Sequence, residues 1–180
     1  PLRNAAIVDF GWALSLALLG IGYSIWGGGW WLRAVALGVM TGFWGLRLAL
    51  HLLLDRVVGH SEEGRYQELR RRWKTNLPAK FLIFFQMQAL LAVLLSVPFL
   101  IPALNSTENL NAFEWTGLAI WLVASIGEAT ADAQLKRFKS RPESRGRTCR
   151  LGLWRFSRHP NYFFEWLIWM SFAIFALGSP

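Results

Sequence analysis

The sequence predicts an all-α membrane protein, a polytopic bundle of about five transmembrane helices with two basic cytoplasmic loops. Hydrophobic residues make up 54% of the 180-residue chain, which includes eleven tryptophans. Several apolar segments approach the length of about 20 residues that a helix needs to cross a bilayer. Of the nineteen Lys and Arg residues, seven fall in residues 56–80 and nine in residues 136–158. Such concentration of positive charge in two connections is typical of cytoplasmic loops.

The same observations limit the class of protein. The loops account for the net charge of +8, so we expect membrane lipids as partners and no nucleic acid. A single cysteine, Cys149, without a CxxC or HExxH motif, predicts no metal site. We predict one integral membrane domain over residues 1–180. Because the chain stops at Pro180 directly after an apolar run, we expect it to be truncated at the C-terminus.

The five helices are expected at about residues 5–25, 32–54, 81–103, 113–138 and 159–178. The first ends at the three glycines of residues 27–29. In the second, Gly38 and Gly42 form a GxxxG pattern that allows another helix to approach closely.

Polar residues in the second half of the second helix share one face. Arg47, His51 and Asp55 stand at i, i+4 and i+8. Ionisable groups at this depth face the bundle interior or water rather than lipid.

The charged segment 60–73 is expected to be helical from Glu68 onward and to lie along the membrane interface. It is either an amphipathic surface helix on anionic lipids or a cover that places Arg65 and Tyr66 over a pocket mouth.

In the third membrane helix, Gln86 lines a cavity or bonds a neighbouring helix. Pro98 and Pro102 bend or end that helix.

The fourth helix carries two carboxylates on one face. Ser125, Glu128 and Asp132 are spaced by three and four residues. Like charges at this spacing repel unless a cation or a donor lies between them. A salt bridge to Arg47 or Lys136 would satisfy them, and so would donors such as the hydroxyls of a ribose or an amide.

The last helix is expected to begin within residues 157–161, with Ser157 or His159 as its cap and Pro160 in its first turn. From that start, Arg158, Tyr162 and Glu165 lie close together. The free N–H groups of a first helical turn and nearby arginines favour an anion.

The carboxy-terminal third resembles a known family. The run Gly152-Leu-Trp-Arg-Phe-Ser-Arg-His-Pro-Asn-Tyr-Phe-x-Glu165 follows Glu128-x3-Asp132-x-Gln134 and Arg145-Gly-Arg147. Together these motifs resemble the steroid 5α-reductase-like superfamily, and its bacterial membrane reductases in particular. The resemblance therefore implies a bacterial inner membrane. Looser similarity extends to Val8-Asp9 and Glu63-x-Arg65-Tyr66.

The resemblance implies a membrane reductase that moves hydride from NADPH to a C=C bond of a steroid-like or other lipid enone. The chain has no GxGxxG motif, and the family binds its dinucleotide without one. The resemblance makes Glu128 and Asp132 ligands of the ribose or nicotinamide end. It makes Arg145, Arg147 and Arg158 the ligands of the phosphates. By the same resemblance, the rest of the cofactor-binding wall is formed by His159, Asn161, Tyr162 and Glu165.

Two further expectations follow from the resemblance. Steroid reductases polarise the substrate carbonyl with a Glu and Tyr pair, and the candidates for catalytic residues here are His51, Tyr66 and Gln86. The family commonly has Gly where this chain has Phe164, which predicts looser packing of the last helix.

Two other interpretations remain open at this point. The Arg-His-Pro-x-Tyr stretch and a downstream glutamate are also found in membrane methyltransferases of the isoprenylcysteine and phospholipid type, which bind S-adenosylmethionine. The Glu128-x3-Asp132-x-Gln134 face and the Arg145-Gly-Arg147 loop favour the reductase. A non-catalytic membrane scaffold is the third possibility.

Overall fold

A computed structural model describes residues 4–144 and 146–179, and over these residues it is helical without any strand. This confirms the predicted all-α class. The seven α-helices are α1 (Ile7–Trp26), α2 (Trp31–Leu52), α3 (Gly64–Trp73), α4 (Leu77–Leu95), α5 (Val97–Leu104), α6 (Ala112–Lys139) and α7 (Pro160–Leu177). A π-helical turn, Leu53–Val57, extends α2, and short 3-10 turns lie at Pro142–Ser144 and Gly152–Arg155.

Three helical stretches are long and apolar enough to cross a membrane, and they identify the chain as a membrane protein. They are Ile7–Trp26, Trp31–Val57 and Leu77–Leu104. The helices expected at 113–138 and 159–178 are also present, as α6 and α7. The second half of α6 carries Glu128, Asp132 and Lys136, which makes it less apolar. The count of about five spans therefore stays a prediction.

The chain forms two compact units, which meet in sequence between Asn109 and Leu110. In the first unit, α1 and α2 pack along each other. The two expected glycines of α2 face α1: a Cβ at Gly38 or at Gly42 would lie 3.2 Å from Ser24 or Ile21. At Gly45 it would lie 2.8 Å from the Cβ of Ala17. The GxxxG pattern thus marks a close helix contact, and Gly45 extends it by one turn.

A buried arginine holds the last loop of the first unit. Arg33 is 1% exposed, and its guanidinium donates to the carbonyl oxygens of Asn105 at 2.8 Å, Thr107 at 2.7 Å and Asn109 at 2.9 Å. A buried charge is costly unless it is hydrogen-bonded, and the three carbonyls supply those bonds. No pattern in the sequence indicated this role for Arg33.

The third membrane stretch is divided where proline was expected to act. The helix α4 ends at Leu95, and α5 begins at Val97 with Pro98 in its first turn. Between them Ser96 is buried, and its hydroxyl lies 3.1 Å from the hydroxyl of Tyr23 on α1. Pro102 lies inside α5 and is buried.

The helix α3 is longer than the sequence indicated, beginning at Gly64 instead of Glu68. The side chain of Tyr66 in its first turn is buried in a small core with Ala5, Ala6 and Phe81. This tertiary packing, which helix propensity does not reflect, stabilises the first turn.

In the second unit, α6 and α7 pack along each other. The amide of Asn111 joins their ends: its Oδ1 accepts from the backbone N–H of Glu114 at 3.1 Å, and its Nδ2 donates to the carbonyl of Gly178 at 2.5 Å. The buried Glu114 side chain returns a bond to the Asn111 N–H, completing a capping box.

Two glycines on α6 leave room for parts of α7. A Cβ at Gly117 would lie 2.9 Å from the carbonyl oxygen of Ser171, and a Cβ at Gly127 would overlap the ring of Phe164. The looser packing expected at Phe164 is therefore wrong. The bulky ring is accommodated because the facing residue on α6 has no side chain.

This pairing predicts a dependence between positions 127 and 164. Gly127→Ala should destabilise the protein by about 1–3 kcal/mol, as overpacking does. In a Phe164→Ala background, where the ring is absent, the same change should cost much less. The check is a double-mutant cycle on unfolding in detergent.

The matched control is Gly11→Ala, since Gly11 is also helical but has open space around its Cβ position. It should be neutral or slightly stabilising because alanine favours helix. An equal cost of Gly127→Ala with and without Phe164 would contradict the proposed contact.

Candidate functional site

The second unit brings several of the predicted cofactor residues together where α6 faces the first turn of α7. Glu128 is 4% exposed and Ser125 is also buried. One turn further on, Asp132 Oδ1 accepts a hydrogen bond of 3.2 Å from Asn161 Nδ2 on α7. The predicted common face of the two α6 carboxylates thus lies partly inside the protein, with an amide from α7 beside it.

Two buried oxygen atoms in this polar patch accept no hydrogen bond from the described residues. They are Ser125 Oγ and Asn161 Oδ1. Buried polar atoms are nearly always satisfied, so each can bond an additional group. The carbonyl oxygen of Asn161 can only accept, and it therefore suits a ligand hydroxyl or amide N–H.

The helix α7 begins within the residues that the sequence predicted. His159 is the residue before the first helical position, Pro160, and the His159 N–H donates to Ser157 Oγ at 3.1 Å. The rings of His159 and Tyr162 stack with centroids 5.3 Å apart, and both residues are exposed. Glu165 is partly buried and accepts from Trp169 Nε1 at 3.2 Å.

The segment before α7 is fastened to α6. Trp154 Nε1 donates to the carbonyl of Ala131 at 2.9 Å, and the N–H of Leu153 donates to Gln134 Oε1 at 2.9 Å. Gly152 has φ +56°, and a Cβ there would overlap the Gln134 amide. Gln134, one of the family-like motif residues, therefore holds this segment in position.

The basic residues of this region are exposed. Arg158 lies just before α7, and Arg147, Arg150 and Arg155 lie in the preceding segment. Exposed guanidinium groups keep their donors available for a phosphate. The predicted phosphate ligand Arg145 lies outside the described residues.

The first unit contains a second polar cluster, centred on Asp9 near the start of α1. Its Oδ1 accepts from the hydroxyl of Tyr66 at 2.7 Å, and its Oδ2 accepts from Arg56 Nη1 at 3.2 Å and from Arg65. Arg65 and Arg56 also contact Glu63, at 2.8 and 3.5 Å. Arg56 lies in the π-helical turn, a feature that is frequent at functional sites.

Tyr66 is 2% exposed, and its environment keeps it protonated. Burial, and then the hydrogen bond to Asp9, raise the pKa of its phenol above the ordinary value. Burial is the largest single influence on the pKa of Arg65 and lowers it, but the charge of Asp9, acting together with Tyr66 and Glu63, raises the pKa above its ordinary value. The Arg65 guanidinium lies 4.8 Å from the centre of the Tyr66 ring, so it covers the phenol.

The three predicted catalytic residues have different surroundings. Only Tyr66 lies in the Asp9 cluster, whereas His51 on α2 and Gln86 on α4 are exposed. Asp55, expected on the same face as His51, lies in the π-helical turn, which changes its direction relative to an uninterrupted α-helix. Asp9 was not among the site residues predicted from the sequence. The family-like Val8-Asp9 pair was the pattern that could have identified it.

A second carboxylate ties α3 to the chain before α1. Glu62 accepts from Arg70 at 2.7 and 3.0 Å, and from the N–H of Ala5 at 2.9 Å. The bonds from Arg70 lower the pKa of Glu62, and burial only partly opposes them.

Within the described residues there is no group of three or more His, Cys, Asp or Glu side chains that could hold a metal.

Comparison with known proteins identifies the family. The sequence model of the family described as "Protein of unknown function (DUF1295)" matches residues 2–179, and the chain belongs to this family. It is similar to the uncharacterized protein C594.04c of Schizosaccharomyces pombe, with 29% identity over 203 residues. The match covers 96% of this chain and 58% of the yeast protein, so the chain spans less than two thirds of that relative. No solved structure matches.

The Glu62 and Arg70 pair predicts a loss of stability in acid. Because folding lowers the pKa of Glu62, the ion pair stabilises the protein fully above the ordinary glutamate pKa of about 4.3. This stabilisation is lost as the pH falls through the lower pKa that Glu62 has in the folded state. Glu62→Gln should be less stable near neutral pH and should lose less stability between about pH 5 and pH 3. Thermal unfolding across this range checks it.

Glu68→Gln is the matched control. The pKa of Glu68 is also lowered, by Arg72, but the pair is exposed and such pairs contribute little. The dependence of its thermal unfolding midpoint on pH should follow that of the unmodified protein. A Glu62→Gln profile as steep as that of the unmodified protein would contradict the assignment.

Proposed function

We propose that this member of the DUF1295 family is a membrane-embedded, NADPH-dependent reductase of the steroid 5α-reductase-like superfamily. Its substrate would be a steroid-like or other lipid enone, whose C=C bond accepts hydride. The observation that carries the proposal is the cross-helix pairing of Asp132 with Asn161, next to the buried Glu128. Two carboxylates and an amide with a free acceptor oxygen form the kind of surface that binds sugar hydroxyls and a carboxamide.

The residues present fit a phosphorylated dinucleotide. Ionised carboxylates accept hydrogen bonds, so Glu128 and Asp132 would take the hydroxyls of a ribose. Asn161 Oδ1 has a remaining acceptor position and would take an N–H or O–H of the same ligand. The exposed ring pair of His159 and Tyr162 offers a flat surface against which a planar base can stack.

The phosphates would be bound by the basic segment before α7. Arg147 and Arg158 are exposed, and arginine binds phosphate through two parallel bonds. The first turn of α7 adds backbone N–H groups and the positive end of the helix dipole. When bound, NADPH would supply the hydride, and the protein would supply position and charge.

For the substrate carbonyl we favour Tyr66 over His51 and Gln86. The support is its carboxylate partner: a phenol bonded to Asp9 has a fixed orientation and remains protonated, so it can donate a hydrogen bond to a carbonyl oxygen. To donate to the substrate, the phenol O–H would turn from Asp9 Oδ1 to the substrate oxygen, and Arg56 and Arg65 would continue to balance the charge of Asp9.

We further propose that the two basic connections face the cytoplasm and that the protein lies in a bacterial inner membrane. With three helical stretches long enough to span, crossings by α6 and α7 would give five spans. Both basic windows would then lie on the same side as the amino terminus, as the positive-inside rule expects.

Ligand-dependent stability distinguishes the reductase from the S-adenosylmethionine-dependent methyltransferase. A ligand at about 100 times its Kd stabilises the native state by about 2.7 kcal/mol. We expect NADPH to raise the thermal unfolding midpoint of the protein in detergent, NADH to do so less, and S-adenosylmethionine to have no effect. A shift with S-adenosylmethionine alone would overturn the reductase proposal.

Arg158→Ala should weaken NADPH binding far more than NADH binding if Arg158 holds the 2′-phosphate. Loss of a hydrogen bond to a charged group costs about 1.5–3 kcal/mol, or roughly 10-fold to 100-fold in Kd. The measurement is a titration of each nucleotide against the purified variant.

The matched control is Arg155→Ala, an exposed arginine three residues away that has no assigned role. It should change both Kd values little. Equal losses of NADPH and NADH in Arg158→Ala would move this arginine to the pyrophosphate.

A further inference from the structure

The helix α3 is held at the boundary of a membrane-spanning stretch. It ends at Trp73, and the span Leu77–Leu104 begins four residues later. Four residues reach at most about 14 Å. The headgroup region of each leaflet is only about 5–8 Å deep, so the end of α3 lies in or next to the headgroups.

The inner face of α3 is fixed by aromatic packing. Tyr66 contacts Phe84 edge-on with ring centroids 6.3 Å apart, and Trp73 contacts Phe81 at 5.1 Å. Arg70 lies on the same side, 4.7 Å from the centre of the Phe81 ring. These contacts determine which side chains of α3 point away from the protein.

The outer face that remains is basic. Arg71, Arg72 and Lys74 are exposed there, together with the single acid Glu68. Arg72 donates to Glu68 at 2.8 Å, but both side chains are largely exposed, and such a pair is weak enough to exchange for another anion. The face thus carries two net positive charges next to the membrane surface.

We propose that this face of α3 binds the headgroups of anionic phospholipids in the adjoining leaflet. Charge complementarity is the reason: the leaflet offers phosphates at the depth where the three basic side chains lie. Trp73, partly buried and at the end of the helix, has the amphipathic ring that is enriched at this interface. The proposal is independent of the proposed reductase activity, because none of these residues belongs to the candidate cofactor site.

The test is a titration of the full chain with phosphatidylglycerol in micelles of a neutral detergent, following the thermal unfolding midpoint. We expect stabilisation that saturates at a low mole fraction of this lipid and none with phosphatidylcholine. Each basic residue near a charged membrane surface raises the affinity for that surface by about fivefold. In the triple variant Arg71→Gln, Arg72→Gln, Lys74→Gln, the half-saturating mole fraction should therefore rise by about 100-fold.

Two control variants separate this surface from net charge. Arg71→Lys with Arg72→Lys keeps the charge and should keep the response. The triple variant Arg137→Gln, Lys139→Gln, Arg141→Gln removes the same charge from other exposed positions and should also keep it. An equal loss in that second triple variant would overturn the assignment to α3.

Three other outcomes bear on the proposal. No effect of phosphatidylglycerol on the unmodified protein would overturn it. An equal effect of inorganic phosphate would show a site for a free anion instead of a lipid surface. If the α3 triple variant does not fold, Arg71→Gln alone should raise the half-saturating mole fraction by about fivefold, and an unchanged value would overturn the proposal.

Discussion

Close approach of paired helices, made possible by residues without side chains, is the constraint on which the rest of the structure depends. Asp and Asn have short side chains, so a 3.2 Å bond between Asp132 and Asn161 requires the backbones of α6 and α7 to be near each other. On α6, Gly127 leaves room for the Phe164 ring, and Gly117 brings the two backbones close. In the first unit, Gly45 does the same for α1 and α2. The polar groups of the candidate cofactor site are positioned as a consequence of this packing.

Features encoded over short stretches of sequence were predictable. The spacing of Glu128 and Asp132 places them on one helical face whatever the tertiary structure. Proline and the preceding polar residues marked the start of α7, and the glycines of residues 27–29 marked the end of α1. Hydrophobic composition indicated the helical class and the membrane, because both follow from how many apolar residues stand in a row.

Contacts between distant residues were not predictable. Asp9 and Tyr66 are 57 residues apart, and no local pattern relates the positions of α1 and α3. The same holds for Arg33, whose partners lie more than 70 residues away. The π-helical turn was also not predictable, because its five residues, Leu53–Val57, are too few for a separate hydrophobic period to be recognised in the sequence.

The family-like motif mixes residues of different kinds, and only the structure separates them. Gln134 was grouped with Asp132 by spacing, yet its amide accepts the Leu153 N–H and lies against Gly152. It therefore shapes the basic segment, and the residues proposed to contact a ligand are its neighbours. Phe164 likewise has a packing role, set by Gly127. A motif residue near a site can thus act by holding the loop that carries the ligand-binding groups.

The arginines of this chain show how the partner of a charge determines what it can do. Arg33 is surrounded by backbone carbonyls, which satisfy its donors and leave it a structural role. Arg65 and Arg70 are bound to carboxylates, so their charge is compensated within the fold. Arg158 is exposed at the start of a helix. Its donors remain accessible to a phosphate, and the proposed anion site is therefore assigned to the segment before α7, where guanidinium groups and helical N–H groups would act on the same ligand.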